Sequence, residues 1–269
     1  MQKRTRQRAK PPIRISLSTR EGSWSSVSFL EQTSGTLLNI LTVLVGSALG
    51  LLLRGRLPEK VIATVMQAIG LTTLFIGIDN AFSLGQVERP PGVILALMAL
   101  ALGGALGEWW RLEERLEDLG ERLKHRFQGR GRFTEGFVAA SLLFCVGPLT
   151  LIGSIQNGLA GDNSFLVLKA TLDGFAALAL SATFGFGVVF SVLIIALYQG
   201  ALSLFAGQFA DLIPDPANDP RVLLVNGVGG LMIIGLGINL LELKRIRVAS
   251  LLPALFLVVG LYYLGLRFY

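Results

Sequence analysis

Eight apolar runs, each close to twenty residues, constrain this chain more than any other feature. They lie at about 36–53, 62–83, 91–109, 135–159, 164–184, 186–207, 222–241 and 248–266. A helix of about 20 apolar residues spans the hydrocarbon of a bilayer. The runs do not alternate in polarity, which argues against a lipid-facing barrel. The fold class expected is therefore all-α: a polytopic helical membrane protein of about eight spans. Residues 35–269 form its one membrane domain. The stretch 164–207 is open to two readings, a pair of spans or one long re-entrant element.

The charges agree. Only 16% of residues are charged, against about 25% in soluble domains, and mean hydropathy is +0.62. More than half of the charges gather in residues 1–34 and 108–135. A net charge of +6 and a pI near 9.8 suggest nucleic acid in a soluble protein. Here the excess sits in tails and loops between apolar runs, so no nucleic-acid partner is expected and the bilayer takes that place. Cys145 is the single cysteine, so no internal disulfide forms.

Lys and Arg also set the orientation. With eight spans, one side holds Arg54, Arg56 and Lys60, seven basic residues from Arg111 to Arg132, and Lys244, Arg245 and Arg247. The other side holds Arg89, Arg221 and Arg267 and the acidic loop LIPDPANDP. The positive-inside rule places loops 54–61, 110–134 and 242–247 in the cytoplasm and both termini outside, in a prokaryotic inner (plasma) membrane. The basic tail 1–34 opposes this. Either it is retained and acts against the rule, or the natural start lies near Leu30; the second is the expectation.

A repeat is legible at an offset of 160. IGLTTLFIGIDNAF from Ile69 aligns with GGLMIIGLGINLLE from Gly229, so Gly70 meets Gly230, Gly77 meets Gly237 and Asp79 meets Asn239. Three-span units five spans apart are inverted relative to each other. Their loops reverse charge accordingly, RGRLPEK against DLIPDPANDP. The expectation is two inverted three-span repeats flanking a central polar two-span unit, an arrangement common in secondary transporters. Chance similarity among Gly/Leu/Ile-rich helices is the alternative.

That central unit reads FCVGPLTLIGSIQNGLAGDNSFLVLKATLDG from Phe144. Gly147-Pro148 falls midway through the fourth run, where proline kinks or breaks a helix. Thr150, Ser154, Gln156, Asn157 and Asp162 follow, and all are costly against lipid. They read as an ion or solute site on an interrupted helix, or as polar caps of a tight external turn. Lys169 and Asp173 stand four apart, on one helical face deep in the fifth run. Ionisable residues at that depth are functional candidates, and the plainer reading is a neutral structural ion pair. Asp79, Asn80 and Asn239 are secondary candidates, near interfaces where they also serve as caps. Asn39, Asn226 and Gln199 read as interhelical hydrogen-bonding groups.

The charged segment 110–132 carries a stripe of Trp109, Leu112, Leu116, Leu119, Leu123 and Phe127 at helical spacing. It can lie on the inner leaflet, pack on the protein, join subunits of a homo-oligomer, or simply extend the third span. The only histidine, His125, sits there as a solvated residue. No zinc spacing, Walker loop or dinucleotide loop occurs, so no metal or cofactor is implied. Asp162 follows Leu159-Ala160-Gly161 rather than the Gly-x-Gly of an aspartyl intramembrane protease, and no enzyme is expected.

GTLLNILTVLVGSALG at Gly35, GSIQNGLAGD at Gly153, KATLDG at Lys169 and YQG at Tyr198 resemble the YdfK/YqgA-type family of prokaryotic membrane proteins, over about residues 35–267. The family usually starts close to its first span. Asn157 departs from the pattern, where Asp is more frequent, so charge is not required there. The resemblance implies an integral inner-membrane protein and no particular activity. The residues themselves point to a transporter or channel for a small ion or polar solute. The other class is a non-transporting scaffold or regulatory subunit.

Overall fold

In this computed structural model the described residues are 28–268, apart from 55, 57, 130, 146 and 207–217. Most of the N-terminal tail and of the acidic loop therefore lies outside the described residues. The first helix, α1 (Phe29–Leu53), starts seven residues before its apolar run, so residues 29–34 are helix and not tail. The reason is a capping box. Ser28 Oγ accepts from Glu31 N at 3.3 Å, and Glu31 Oε2 accepts from Ser28 N at 2.7 Å, which satisfies two otherwise orphaned amides.

The chain continues as α2 (Glu59–Ala81), α3 (Gly92–Trp109), α4 (Leu112–Arg126), α5 (Phe133–Cys145) and α6 (Pro148–Ala160). Then come α7 (Ser164–Phe184), α8 (Ser191–Leu204), α9 (Pro220–Leu240) and α10 (Ala254–Gly265). Short 3-10 turns at Phe82–Gln86, Phe186–Phe190 and Val248–Leu251 extend α2, α8 and α10. No strand occurs among the described residues. Seven of these segments are long and apolar enough to cross a membrane. The fourth run is divided as its Gly-Pro pair predicts: α5 and α6 meet at a bend of 60° and are together long and apolar enough for an eighth crossing.

Contacts at the two ends show that the broken pair does traverse the bundle. At one end Phe133, opening α5, lies against Gly187, and Arg54 lies against Gly185 after α7. At the other, Gly158 near the end of α6 meets Ser203 of α8, while Asn157 meets the start of α1. Residues 164–204 are thus two spans, α7 inward from the second end and α8 back, and not one re-entrant element.

Two helix pairs are packed most closely. α1 and α7 run parallel, with Gly35 on Leu166, Gly46 on Gly174 and Gly50 on Leu178. A Cβ at Gly46 would stand 2.1 Å from the carbonyl oxygen of Gly174, so only hydrogen fits. α2 and α9 run antiparallel, with Gly70 on Leu241, Gly77 on Ile234 and Gly230 on Ala81. Small residues allow this approach, and dispersion holds such helices together in lipid.

α4 is a separate helix and does not extend α3, because Arg111 adopts the left-handed conformation (φ 53°) between them. It packs on the protein. Gly120 lies against Thr134 and Phe137, and Leu116 reaches the core. The apolar stripe is only partly covered: Leu119 stays exposed, and Phe127 stacks on Phe190 at 4.7 Å.

Candidate functional site

Among the described residues, a buried polar network lies inside the bundle, and α1 supplies its hub. Thr33, Thr36, Asn39, Val43, Gly46, Ser47 and Gly50 lie along its buried side at helical spacing. That small and polar face is why α7 can approach so closely. Asn39, fully buried, donates from Nδ2 to Asp173 Oδ2 of α7 and to Gln199 Oε1 of α8, each at 3.0 Å. Gln199 Nε2 donates to Thr36 Oγ1 at 3.3 Å. Lys169 Nζ donates to the same Asp173 oxygen. Turning the Asn39 amide over would set its oxygen against two acceptors, so this orientation is fixed by its partners. Asn39 Oδ1 then finds no partner among the described residues.

Depth follows from helix geometry. Asp173 is the tenth residue of α7, about 14 Å from its start in a helix about 30 Å long. Lys169 and Asp173 are 5% and 8% exposed. They sit midway along this apolar helix, where unpaired charge would be costly in lipid. Cys145, ending α5 beside the helix break, lies within electrostatic reach of both.

α6 adds a second group. Thr150, Ser154 and Asn157, at successive helical turns, are all buried. Asn157 inserts its amide into the first turns of α1, accepting from Gly35 N at 3.1 Å and donating to the Glu31 carbonyl at 2.9 Å. It thereby mimics a peptide group across one helical turn. Ser34 Oγ accepts from Asn157 and from Asn163 at 3.1 and 3.2 Å. Thr150 Oγ1 donates to the Phe144 carbonyl at 3.4 Å across the break, and Ser154 Oγ is buried without a partner among the described residues. A polar line therefore runs from the start of α1 and end of α6 toward Lys169 and Asp173.

The other residues singled out from the sequence fall elsewhere. Gln156 is half-buried, off the α6 stripe. Asp162 is exposed and accepts from Ser164 N and Oγ at 2.9 and 2.6 Å, which holds the turn leading into α7. Those bonds hold its carboxyl below the usual range. Asp79 is exposed, and Asn80 is buried against Gly230 of α9. Asn239 clasps the following loop, with Nδ2 to the Ile246 carbonyl at 2.7 Å and Ile246 N to Oδ1 at 2.6 Å. Sequence reasoning missed Thr36 and Ser34 and gave Asn39 and Gln199 only a packing role. Their signal was the offset of 160 that separates Asn39 from Gln199. Among the described residues no group of three or more His, Cys, Asp or Glu is placed to hold a metal.

The charged segments converge at the opposite end. Arg132 pairs with Glu135 and Glu242 at 2.7 and 2.8 Å, Arg245 with Glu117, and Arg247 with Glu108 and Glu114. Glu113 Oε2 accepts from Ala249 N at 2.9 Å, and its burial raises the carboxyl above its ordinary value. A cavity of about 540 Å³ opens among Glu117, Lys124, Arg132, Glu135 and Glu242. Neither Lys169 nor Asp173 lines it.

A family model described as "Protein of unknown function (DUF554)" matches residues 34–263, from the second turn of α1 to within α10, and so takes in Asn39, Asn157, Lys169, Asp173 and Gln199. The chain belongs to this family. Two relatives agree with the resemblance seen in its motifs. The "Uncharacterized membrane protein YdfK" of Bacillus subtilis (strain 168) is 30% identical over 238 residues, 87% of this chain and 99% of the relative. The "Uncharacterized protein YqgA" of Escherichia coli (strain K12) is 30% identical over 234 residues, 84% of this chain and 95% of the relative. No solved structure matches. Membrane residence is thus supported by family, composition and fold together.

Proposed function

We propose that this member of the family is a transporter or channel that moves a small ion or polar solute across a prokaryotic inner membrane. One observation carries the reading. Three spans converge on Asp173 with Lys169, Asn39, Gln199 and Thr36 midway along α7, and the break in a fourth ends at Cys145 nearby. Apolar residues would pack those helices at lower cost, since a buried ion pair is often no more stable than an apolar replacement. Asp173 is the binding carboxylate, Lys169 its internal counter-ion, and Thr150, Ser154 and Asn157 line the approach. The reading involves no catalysis and no cofactor; a homo-oligomer is compatible with it.

The inverted repeat belongs to the same proposal. Adding 160 to Gly70 and Ala81 gives Gly230 and Leu241, and the contacts Gly70–Leu241 and Ala81–Gly230 exchange under that shift. So do Gly77–Ile234 and Leu74–Gly237. Such paired contacts are what a two-fold axis in the membrane plane produces, and the bonded pair Asn39 and Gln199 would lie on it. The positive-inside rule puts the end bearing α4 and the 242–247 loop in the cytoplasm.

The scaffold reading is favoured by a different observation, the ion pairs that fix α4 to the 242–250 loop as a ready docking platform. A thermal-shift screen of the purified protein against ions, amino acids, nucleobases and organic acids separates the two. Binding to the folded state alone stabilises by about 2.7 kcal/mol at a hundredfold excess over Kd. Transport predicts a ligand-dependent shift that Asp173→Asn abolishes. An already destabilised Asp173→Asn variant, with no shift from any ligand in the wild type, would favour the scaffold.

A further inference from the structure

We propose that the outward face of α4 is a binding surface for anionic phospholipid headgroups of the surrounding bilayer. The inference does not depend on the transport reading.

The charges of α4 are sorted by side. Its glutamates turn to the protein. Glu113 accepts from Ala249 N, Glu114 pairs with Arg247 and Glu117 with Arg245. Glu121 accepts from Thr134 Oγ1 at 2.6 Å and pairs with Lys124 at 3.2 Å. The arginines turn away. Arg115, Arg122 and Arg126 are exposed, and none makes an ion pair with a described residue. At 3.6 residues per turn these three fall within about 40° of arc. Leu119, 41% exposed, borders them on the side of the apolar stripe. Asp118 is the one exposed acid of the helix, and the three cations outnumber it. A face of one predominant sign attracts anions.

Position decides which anion. α4 begins just after Trp109 and Trp110, where the apolar helix α3 ends, and its Gly120 lies against Thr134 and Phe137 in the first turns of α5. It is therefore held at the level where two apolar segments meet the headgroups. Trp109 and Trp110 are 78% and 49% exposed, and Phe127 at the far end of α4 is 53% exposed. Tryptophan favours the headgroup level. Arginine lays its stem along apolar surface while its guanidinium reaches phosphate. A basic helix face bordered by leucine and aromatic side chains is the form that lies on anionic bilayers. A soluble phosphate compound has no use for the apolar border. A second copy covering this face about an axis along the membrane normal would set the arginines against themselves.

The test uses the full chain carrying Trp24→Phe, so that Trp109 and Trp110 are its only tryptophans. It is placed in nanodiscs of three parts phosphatidylcholine to one part phosphatidylglycerol. Acyl-chain bromine, which quenches nearby tryptophan, is carried by the phosphatidylglycerol in one sample and by an equal amount of the phosphatidylcholine in the other. Brominated phosphatidylglycerol should quench at least about twofold more, because the arginines enrich it beside α4. Arg115→Gln/Arg122→Gln/Arg126→Gln should make the two samples equal. Half-molar salt should shrink the excess by screening, with no substitution in α4. Arg56→Gln/Lys60→Gln removes two exposed cations from the α1–α2 loop at the same end and should leave the excess intact. Three results each overturn the proposal: equal quenching by the two lipids, no quenching by either, or a loss in the Arg56→Gln/Lys60→Gln variant as large as in the α4 variant.

Discussion

Asn157 shows how much one side chain can decide. Its amide matches the Glu31 carbonyl and the Gly35 amide at once. An aspartate there can still accept from Gly35 but cannot donate to Glu31 unless it carries a proton. Asn157→Ala should cost about 1–3 kcal/mol, the usual loss when buried groups are left unsatisfied, and unprotonated Asn157→Asp should also destabilise. Thermal unfolding of both variants checks this; unchanged midpoints would remove the inserted amide from the account. Glu113 makes a pH-dependent contribution at the other end. Burial raises its carboxyl above the ordinary glutamate value, so the folded state holds the proton more tightly than the unfolded state. Its contribution to stability is therefore gained as pH falls through the folded value and lost above it. Glu113→Gln keeps an acceptor for Ala249 N without the charge. The variant should gain on the wild type as pH rises from about 4.5 toward neutral, read as a widening gap in unfolding midpoints.

At the scale of elements, glycine sets where helices touch. Gly46 faces the Gly174 carbonyl, and Gly77 and Gly230 face each other's backbone across α2 and α9. In each case a methyl group would meet backbone, which cannot rotate aside. Gly46→Ala and Gly230→Ala should each destabilise by about 1–3 kcal/mol through overpacking. At Gly260, where nothing lies within 4 Å, alanine should be tolerated in thermal unfolding. The elements themselves were largely legible in the sequence. Apolar length located the spans, and Gly147-Pro148 located the break, because both depend on local physics. The start of α1 was not legible from hydropathy, since a capping box begins a helix among polar residues. The position of α4 was not either: its stripe allowed several partners, and only the left-handed Arg111 separates it from α3. The site was half legible. Lys169, Asp173, Ser154 and Asn157 stood out as polar groups in apolar runs. The partnership of Asn39, Thr36 and Gln199 required knowing that α1, α7 and α8 meet.

Across the whole molecule, polarity is sorted into three levels. One end joins α4, the start of α5 and the 242–250 loop by ion pairs. The other brings Ser34, Asn157 and Asn163 together. Between them lies the Asp173 cluster, at a depth that only a wet pathway or a tightly packed ion pair tolerates. Those two possibilities make opposite statements about water. The most direct measurement is therefore the labelling of Ser154→Cys, in a Cys145→Ser background, by a small membrane-impermeant methanethiosulfonate applied to right-side-out and inside-out vesicles. Ser154 is fully buried on the inward stripe of α6, and the substitution is close to isosteric. A transport pathway predicts that the thiol reacts from at least one side, and that Asp173→Asn changes the rate. A thiol that stays unreactive from both sides, in folded protein, would mean a dry interior and would contradict the account.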